Sequence, residues 1–507
     1  MLAKIKSFSI SGLEANPIEI EVDINPGLPS ISIVGLPDQA TKESKDRVKS
    51  AIKNSGFKYP DTRVTINLAP ADIPKSGPNF DLGISLGILA ATSQINPNTL
   101  EDFVFIGELS LDGSLRAVKG TLVIAMALAK NKVKNLILPQ ENAKEAAIVK
   151  GIQVYPVSNL KEVVNFLSEP QTLKPFKVNA QEIFSNNLNY SLDFSEVKGQ
   201  LIAKRALEVA VSGNHNILFI GPPGAGKTML AKRIPTICPD LTLEEALETT
   251  KIHSVMGLTD GLISTRPFRS PHHTASDIAI VGGGSAPAPG EISLAHHGIL
   301  FLDELPEFHR DVLEVLRQPL EDGFVRVARA NKSVTFPSQF MLVAAMNPCP
   351  CGYYTDSKKP CHCTPQKIQK YMGKISGPLL DRIDIHLEVP AIKYKELTTT
   401  KEEESSEKIK SRVKNARKIQ KERLKNTNIF SNAQMNTKLI KKYCLLNKET
   451  QELLRLAMEE LNFSARAYDK ILKVGRTIAD LANSETILPE HISEAIQYRT
   501  LDRQLWS

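Results

Sequence analysis

The sequence contains no apolar run of the roughly 18 residues that a membrane-spanning helix requires. The apolar stretches around Leu82–Ala91 and Leu122–Ala129 are shorter and belong to amphipathic patterns. Six cysteines in 507 residues are too few for a disulfide scaffold. The N-terminus carries early lysines but lacks the apolar segment of a secretory signal. We therefore expect a cytoplasmic protein with reduced thiols and no membrane partner.

Neither sign of charge is in large excess. Lysine and arginine total 63 and aspartate and glutamate total 56, so the net charge of +7 identifies no partner by itself. A local excess lies within Lys408–Lys425, which contains nine basic residues and one acidic residue, Glu422. Apolar residues recur there at roughly helical spacing. The stretch is therefore either a solvated helix face or a surface for nucleic-acid phosphates.

Hydrophobic periodicity divides the chain into regions of different character. Residues 1–168 alternate strand-like and helical patterns, which predicts a separate α/β domain. Residues 169–189 are polar, contain two prolines and are interpreted as a linker. The alternation resumes over residues 190–395 and predicts a parallel sheet flanked by helices. Residues 396–507 are predicted to be helical.

The strongest motif has the form G-x-x-x-x-G-K-[ST], which is typical of a phosphate-binding loop. An apolar strand, Ile217–Ile220, leads into it, and a helical pattern follows. Glycines let the backbone N–H groups approach phosphate oxygens closely. We expect Lys227 to reach the β- and γ-phosphates of ATP and the Thr228 hydroxyl to ligate Mg²⁺. This phosphate loop consists of Gly221, Pro222, Pro223, Gly224, Ala225, Gly226, Lys227 and Thr228.

Polar residues at the ends of two later apolar strands complete a hydrolytic site. Asp303 and Glu304 follow the strand-like segment that begins at Gly298. We expect Asp303 to hold Mg²⁺ through water and Glu304 to orient and deprotonate the attacking water. Asn347 ends the next apolar strand, where its amide is expected to contact the γ-phosphate or to position water.

A candidate catalytic arginine, Arg382, lies in the segment Leu-Leu-Asp-Arg-Ile-Asp. An arginine stays protonated, so it can stabilise the charge that develops on a transferred phosphoryl group. The alternative is a structural ion pair with Asp381 or Asp384. The spacing of these residues does not decide between the two.

Four of the six cysteines lie close together as two C-x-C pairs separated by nine residues. Four thiolates on a loop suit a tetrahedral zinc ion. The single residue inside each pair is a tighter spacing than zinc sites usually have, and His362 is an alternative ligand. We expect a structural Zn²⁺ that is held by Cys349, Cys351, Cys361 and Cys363.

In their order along the chain, the phosphate loop, the paired carboxylates, Asn347 and the arginine segment resemble an AAA+ ATPase. The segments Arg266–Ser276 and Gly282–Phe308 are similar to its Mg-chelatase-like branch, specifically the ComM/YifB type, and the similarity extends to Ser464–Leu481. The resemblance implies an ATP-driven hexameric ring acting on single-stranded or branched DNA. Its implied activity is helicase-type branch migration in homologous recombination during natural transformation. It also implies a second sensor arginine in a helical lid, at Arg466.

The first region resembles the Lon protease domain, which shares the fold of a ribosomal S5 domain. Where that protease has its nucleophilic serine this sequence has Asn79, and where it has its lysine base this sequence has Leu122. Neither residue can perform that chemistry, so we expect a non-proteolytic scaffold or a DNA-contacting module. Together the resemblances imply the α/β class, with an N-terminal S5-like (Lon-type) α/β domain, a central P-loop AAA+ three-layer α/β domain and a C-terminal helical lid.

Two other functions fit parts of the sequence. A motor subunit that drives Mg²⁺ insertion into a porphyrin would use the same ATPase motifs, although we expect neither the N-terminal domain nor the cysteines in such a subunit. An ATP-dependent protease would need a shifted pair of Ser76 with Lys75 or Lys119. The adjacent histidine pairs His272–His273 and His296–His297 are interpreted as loop residues that could face the pore of a ring, rather than as metal ligands.

Overall fold

The computed structural model describes residues 2–179, 184, 190–259, 261–284, 287–329, 332–354, 356, 359–391, 403–427, 429–461 and 463–501. The chain divides into two compact units, one of residues 1–187 and 243–264, the other of residues 188–242 and 265–507. Most of the second half of the predicted linker and the predicted boundary at residue 395 lie outside the described residues. In the part of the chain that is described, no helix is both long and apolar enough to cross a membrane.

The first unit is built from strands and helices that alternate along the chain. Its strands are β1 (Leu2–Ser11), β2 (Glu14–Asn25), β3 (Ser30–Val34), β4 (Arg63–Ala69), β5 (Phe103–Phe105), β6 (Glu108–Leu109), β7 (Leu115–Arg116), β8 (Asn135–Pro139) and β9 (Gln153–Val157). Its helices are α1 (Gln39–Asn54), α2 (Asp81–Ala91), α3 (Thr121–Lys130), α4 (Ala143–Ala146), α5 (Leu160–Ser168) and an inserted helix (Leu243–Met256).

A seven-stranded mixed sheet in the order β3-β4-β2-β1-β5-β8-β9 forms the centre of this unit. Strands β1 and β2 pair antiparallel from Leu2 opposite Asp23 to Ser11 opposite Glu14. Helix α2 packs on both strands with every residue buried, because its sequence is apolar on all sides. The inserted helix packs on α3, and the N–H of Gly120 donates to the carbonyl oxygen of Ser254. Residues 243–264, which sequence periodicity placed in the central domain, therefore cluster with the first unit.

The residues considered for a protease site are not arranged as a serine–lysine pair. Asn79 is buried, and Leu122 is fully buried at the start of α3. The ammonium of Lys75 donates to the carbonyl oxygen of Pro70, while Lys119 is exposed. Among the described residues, no hydrogen bond joins Ser76 to Lys75 or Lys119, so the shifted pair is not formed.

The second unit contains the motifs for nucleotide chemistry. Its strands are β10 (Ile217–Ile220), β11 (Phe268–Arg269), β12 (Gly282–Gly283), β13 (Ala288–Pro289), β14 (Ile299–Leu302), β15 (Phe324–Arg329), β16 (Lys332–Pro337), β17 (Met341–Met346) and β18 (Ile385–Glu388). Its first helices are α6 (Leu201–Gly213), α7 (Lys227–Ile237), α8 (Asp277–Val281), α9 (Glu291–Leu294), α10 (Arg310–Val315), α11 (Arg317–Asp322), α12 (Pro365–Met372) and α13 (Gly377–Leu380). The C-terminal helices are α14 (Ser406–Arg423), α15 (Thr437–Tyr443), α16 (Lys448–Glu460), α17 (Ala465–Leu481) and α18 (Pro489–Gln497).

A five-stranded parallel sheet in the order β11-β14-β17-β10-β18 forms the core of this unit. Strands β10, β14 and β17 are buried along their whole length, because helices on both faces of a parallel sheet favour continuous apolar runs. The carboxyl ends of these three strands lie at one edge of the sheet, where ligands of open α/β folds bind. The predicted α/β class with a parallel central sheet and a helical C-terminus is confirmed.

The basic stretch Lys408–Lys425 forms most of α14, and most of its apolar residues are buried, with Ile419 half-buried. Several of its charges are used within the unit. Lys410 and Lys414 both pair with Asp240, at 2.5 and 2.6 Å. Further pairs join Arg412 to Glu404 and Arg423 to Asp480. These contacts favour the interpretation of a solvated, structural helix face over that of a surface for phosphates.

Candidate functional site

The phosphate loop connects β10 to α7 at the carboxyl edge of the sheet. Gly224 has φ +77° and Gly226 has φ +87°, a left-handed conformation that residues with a Cβ rarely adopt. The N–H of Gly221 donates to the carbonyl oxygen of Met346 at 3.2 Å, which fixes the start of the loop to β17. The loop therefore has the backbone shape that lets N–H groups face a bound anion.

Lys227 is the first residue of α7, and only 8% of its surface is exposed to solvent. Its ammonium donates to the carbonyl oxygens of Gly221 and Pro222, at 2.6 and 3.0 Å, and to Oδ1 of Asn347 at 3.0 Å. Burial lowers the pKa of Lys227 to about 8, against the opposing effect of two nearby carboxylates. The structure thus brings Lys227 and Asn347 together although they lie 120 residues apart.

Thr228 and Asp303 form an oxygen-rich corner beside the loop. The Thr228 hydroxyl donates to Oδ2 of Asp303 at 2.6 Å, and the N–H of Glu304 donates to Oδ1 of Asp303 at 3.0 Å. Hydroxyl and carboxylate oxygens are hard donors of the kind that Mg²⁺ prefers. The chemistry of this donor set therefore fits a magnesium ion next to bound phosphates.

Glu304 lies at the end of the same strand with its side chain 57% exposed. Its backbone has φ 53°, a strained conformation for a residue with a Cβ, and such strain is often found at functional sites. Nδ1 of His273 lies 3.5 Å from its carboxylate. Sequence reasoning placed His273 only on a loop and missed this contact, because no local spacing links the two residues.

Arg382 lies outside this cluster. It donates to the carbonyl oxygen of Pro378 and pairs with Glu321. The structural ion pair considered for it was with Asp381 or Asp384, and the structure gives it a different partner. Within the described residues, neither of these two contacts reaches the phosphate loop of its own chain.

Arg466 stands at the start of α17 with its side chain 68% exposed, and it pairs with Asp381 at 2.8 Å. One turn further along, Lys470 is buried and contacts Asp384 at 2.6 Å. His215 contacts the same carboxylate at 3.2 Å. Burial alone would raise the pKa of Asp384, but Lys470 and His215 outweigh it and hold that pKa well below its usual range. Two ion pairs thus join the arginine segment to the C-terminal helices.

The cysteine cluster consists of the four cysteines that follow Asn347. The Sγ atom of Cys349 lies 3.3 Å from that of Cys351 and 3.7 Å from that of Cys361, and the latter two are 3.5 Å apart. A tetrahedral site with Zn–S bonds of about 2.3 Å would place its sulfurs about 3.8 Å apart. The cluster is compatible with zinc.

Three family models match the chain. One described as magnesium chelatase, subunit ChlI, matches residues 193–397, and its C-terminal counterpart matches residues 403–499. A third, described as subunit ChlI of Mg-chelatase, matches residues 20–142. The models therefore cover both units.

Relatives of known name extend this similarity over the full length. Competence protein ComM of Haemophilus influenzae is 45% identical over 99% of this chain and 98% of its own. The uncharacterized protein YifB of Escherichia coli is 44% identical over 97% of this chain and 96% of its own. Lon protease 2 of Bacillus subtilis is 28% identical over 32% of each chain, in line with the Lon-type resemblance. The chain belongs to the ComM/YifB family of Mg-chelatase-like AAA+ ATPases.

Proposed function

We propose that this protein is a ring-forming ATP-driven motor, built as a hexamer, that acts on single-stranded or branched DNA. Its proposed activity is branch migration, a helicase-type reaction, in homologous recombination during natural transformation. The observation that carries the ATPase part is the convergence of Lys227, Thr228, Asp303 and Asn347 at one sheet edge. The DNA part draws support from the full-length similarity to a competence protein.

The proposed hydrolysis divides its tasks among residues of one chain. Lys227 holds the β- and γ-phosphates, and Thr228 and Asp303 hold the Mg²⁺, which neutralises phosphate charge when it is bound. Glu304 orients the attacking water and accepts its proton, because its carboxylate is accessible beside Asp303. Asn347 fixes the Lys227 ammonium and positions the γ-phosphate or the water.

We assign Arg382 to the site of a neighbouring subunit. Its side chain bonds to Glu321 and to the carbonyl oxygen of Pro378 and, within the described residues, not to the phosphate loop of its own chain, which supports a role at the nucleotide of a second copy. A head-to-tail contact of this kind closes into a ring when its rotation allows. Arg466, on the adjacent helix, is proposed to sense the γ-phosphate and to relay nucleotide state through Asp381.

The proposed cofactors are ATP with Mg²⁺ and one structural Zn²⁺ in the cysteine cluster. The hydroxyl–carboxylate donor set supports the magnesium assignment. Three of the four sulfurs lie 3.3–3.7 Å apart and all four lie within 4.8 Å of one another, which supports the zinc assignment. The two sites use oxygen and sulfur ligands respectively, which is the division expected from the preferences of the two metals.

A motor subunit for Mg²⁺ insertion into a porphyrin is the alternative, and the descriptions of the three family models favour it. We prefer the DNA motor because a relative that matches 99% of this chain is a competence protein. The cysteine cluster gives further support, since we do not expect it in a motor subunit for porphyrin metallation. The two functions differ in the ligand that should stimulate ATP hydrolysis.

The experiment measures the ATPase rate of the purified protein with no DNA, with single strands and with a four-way junction. We expect the junction to stimulate wild-type hydrolysis and strand exchange to follow, with neither seen for Lys227→Ala. Lys232→Ala, which alters an exposed lysine on the same helix, is the matched control and should behave as wild type. No stimulation by any DNA and no strand exchange, together with stimulation by a porphyrin substrate system, would overturn the proposal.

A further inference from the structure

The cysteine cluster lies in the segment that connects Asn347, at the nucleotide site, to helix α12. Cys349 follows Asn347 by two residues and is fully buried. At the other end, Cys363 immediately precedes Thr364, which caps α12 by accepting a hydrogen bond from the N–H of Lys367. The cluster therefore joins the carboxyl end of β17 to the start of a helix.

Helix α12 returns to the same asparagine. Burial raises the pKa of its Tyr371, and the backbone N–H of Asn347, which faces the phenol oxygen, partly offsets that rise. Oδ1 of Asn347 in turn accepts a hydrogen bond of 3.0 Å from the Lys227 ammonium. The segment thus forms a closed path from Asn347 through the cluster and the helix back to Asn347, and cross-linking its four sulfurs would fix the length of that path.

The cluster also contacts the phosphate loop through Gly352, which lies one residue after Cys351. Gly352 has φ +86°, and a Cβ at this position would come within 2.5 Å of Cδ of Pro223. The N–H of Gly352 donates to the carbonyl oxygen of Cys349 at 2.9 Å, so the turn that contacts the loop is part of the cluster. A proline ring cannot move aside as a flexible side chain can, so this contact transmits any displacement of the cluster.

We propose that the four cysteines hold a zinc ion whose role is to position Asn347 and Pro223 against the nucleotide, so that nucleotide binding depends on the zinc. This inference rests on the proposed binding of ATP at Lys227. Without the metal, no bond would tie the four sulfur atoms to one another, so the segment that holds both contacts with the site would be free to move. Groups that orient a functional site from outside typically change its affinity or activity by about 10- to 100-fold.

The experiment compares zinc content with nucleotide affinity in the full-length protein. Zinc is measured by atomic emission, and the dissociation constant of a fluorescent ADP analogue is measured with Mg²⁺ present. Cys361→Ser removes one ligand, and Cys444→Ala, which alters a buried cysteine outside the cluster, is its control. We expect stoichiometric zinc and tight binding for wild type and control, and for Cys361→Ser little zinc and a dissociation constant raised by about tenfold or more.

A second pair of variants tests the contact with the phosphate loop and leaves all four ligands in place. Gly352→Ala should retain zinc and yet weaken binding, because the new methyl group displaces Pro223. Gly151→Ala is matched to it, since Gly151 has φ +93° but nothing within 4 Å of an added Cβ. We expect Gly151→Ala to bind as wild type. If Cys361→Ser fails to fold, chelation of zinc from wild type followed by zinc addition replaces it, with loss and recovery of binding expected.

Three results would overturn the inference. The first is wild-type protein without bound zinc. The second is Cys361→Ser, or chelated wild type, that lacks zinc and binds the analogue within about twofold of wild type. The third is equal affinity for Gly352→Ala and Gly151→Ala. Failure of the proposed function looks different, because zinc-loaded wild type would then bind no nucleotide at all.

Discussion

The hydroxyl of Thr228 donates a hydrogen bond of 2.6 Å to Oδ2 of Asp303, 75 residues further along the chain. Thr228 lies in the first turn of α7, and Asp303 directly follows β14. Their contact exists because β10 and β14 flank β17 in one parallel sheet, whose carboxyl ends face the same side. A magnesium site can therefore form here only when the sheet is intact.

Replacing Lys227 should abolish tight nucleotide binding. The Lys227→Ala variant loses the only ammonium that the phosphate loop directs toward the site, and charge-assisted hydrogen bonds of this kind are worth enough to weaken binding by about 100-fold. Titration calorimetry with a non-hydrolysable ATP analogue measures the loss. Lys232→Ala serves as the control, and equal affinity of the two variants would contradict the assigned role.

Arg382→Ala should lower kcat by about 10³-fold while leaving KM for ATP nearly unchanged, because an arginine supplied by a neighbour acts on the transition state. Steady-state ATPase assays on the assembled protein separate the two constants. Arg326→Ala is the control and should keep the wild-type kcat, since Arg326 is exposed and lines a surface cavity together with Arg382. A rise in KM with unchanged kcat for Arg382→Ala would assign this residue to ground-state binding instead.

Asp384→Asn should destabilise the second unit. The variant leaves Lys470 buried without its carboxylate, and an unpaired buried charge costs about 3 kcal/mol. Because the pKa of Asp384 is lowered in the folded state, its contribution is present above the pKa of about 3.9 of the unfolded chain and is lost as the pH falls through the folded value.

Urea denaturation between pH 7 and pH 3 measures this difference between wild type and Asp384→Asn. We expect it to be constant from pH 7 to about pH 4 and to shrink below that. Combining Asp384→Asn with Lys470→Met should recover part of the stability, since the charge is then removed as well. A difference that already vanishes between pH 7 and pH 5 would show that the carboxylate is not held in its charged form.

Arg466→Ala should slow ATP hydrolysis while leaving the free energy of unfolding nearly unchanged. Its ion pair with Asp381 is exposed, so its loss should change the free energy of unfolding by less than about 1 kcal/mol. Hydrolysis should nevertheless slow markedly if Arg466 senses the γ-phosphate. Thermal melting and ATPase assays on the same preparations test this, with the exposed Arg455→Ala as control. A fully active Arg466→Ala variant would remove this residue from the mechanism.

The sequence was sufficient to predict those site residues that follow the carboxyl ends of apolar strands. Lys227, Asp303 and Asn347 each lie next to the carboxyl end of a continuously apolar strand, and parallel strands bring such ends together. The α/β class follows from the same pattern. The convergence of these three residues was therefore predictable without any knowledge of contacts between distant segments.

Contacts made by side chains from separate elements were not predictable in this way. Glu321 precedes Arg382 by 61 residues and belongs to α11, a short helix with no motif that marks it as a partner. Lys470 meets Asp384 only because α17 packs against the end of the arginine segment. The placement of residues 243–264 with the first unit depends on the packing of the inserted helix on α3, which periodicity along one chain cannot indicate.

Mixing two inactive variants tests most directly the claim that two copies of the chain build one ATPase site. Lys227→Ala and Arg382→Ala should each be nearly inactive alone. In rings assembled from equal amounts of both, about one interface in four combines an intact phosphate loop with an intact arginine, so about a quarter of the wild-type ATPase rate should return. A mixture no more active than the two variants measured separately would contradict the shared site.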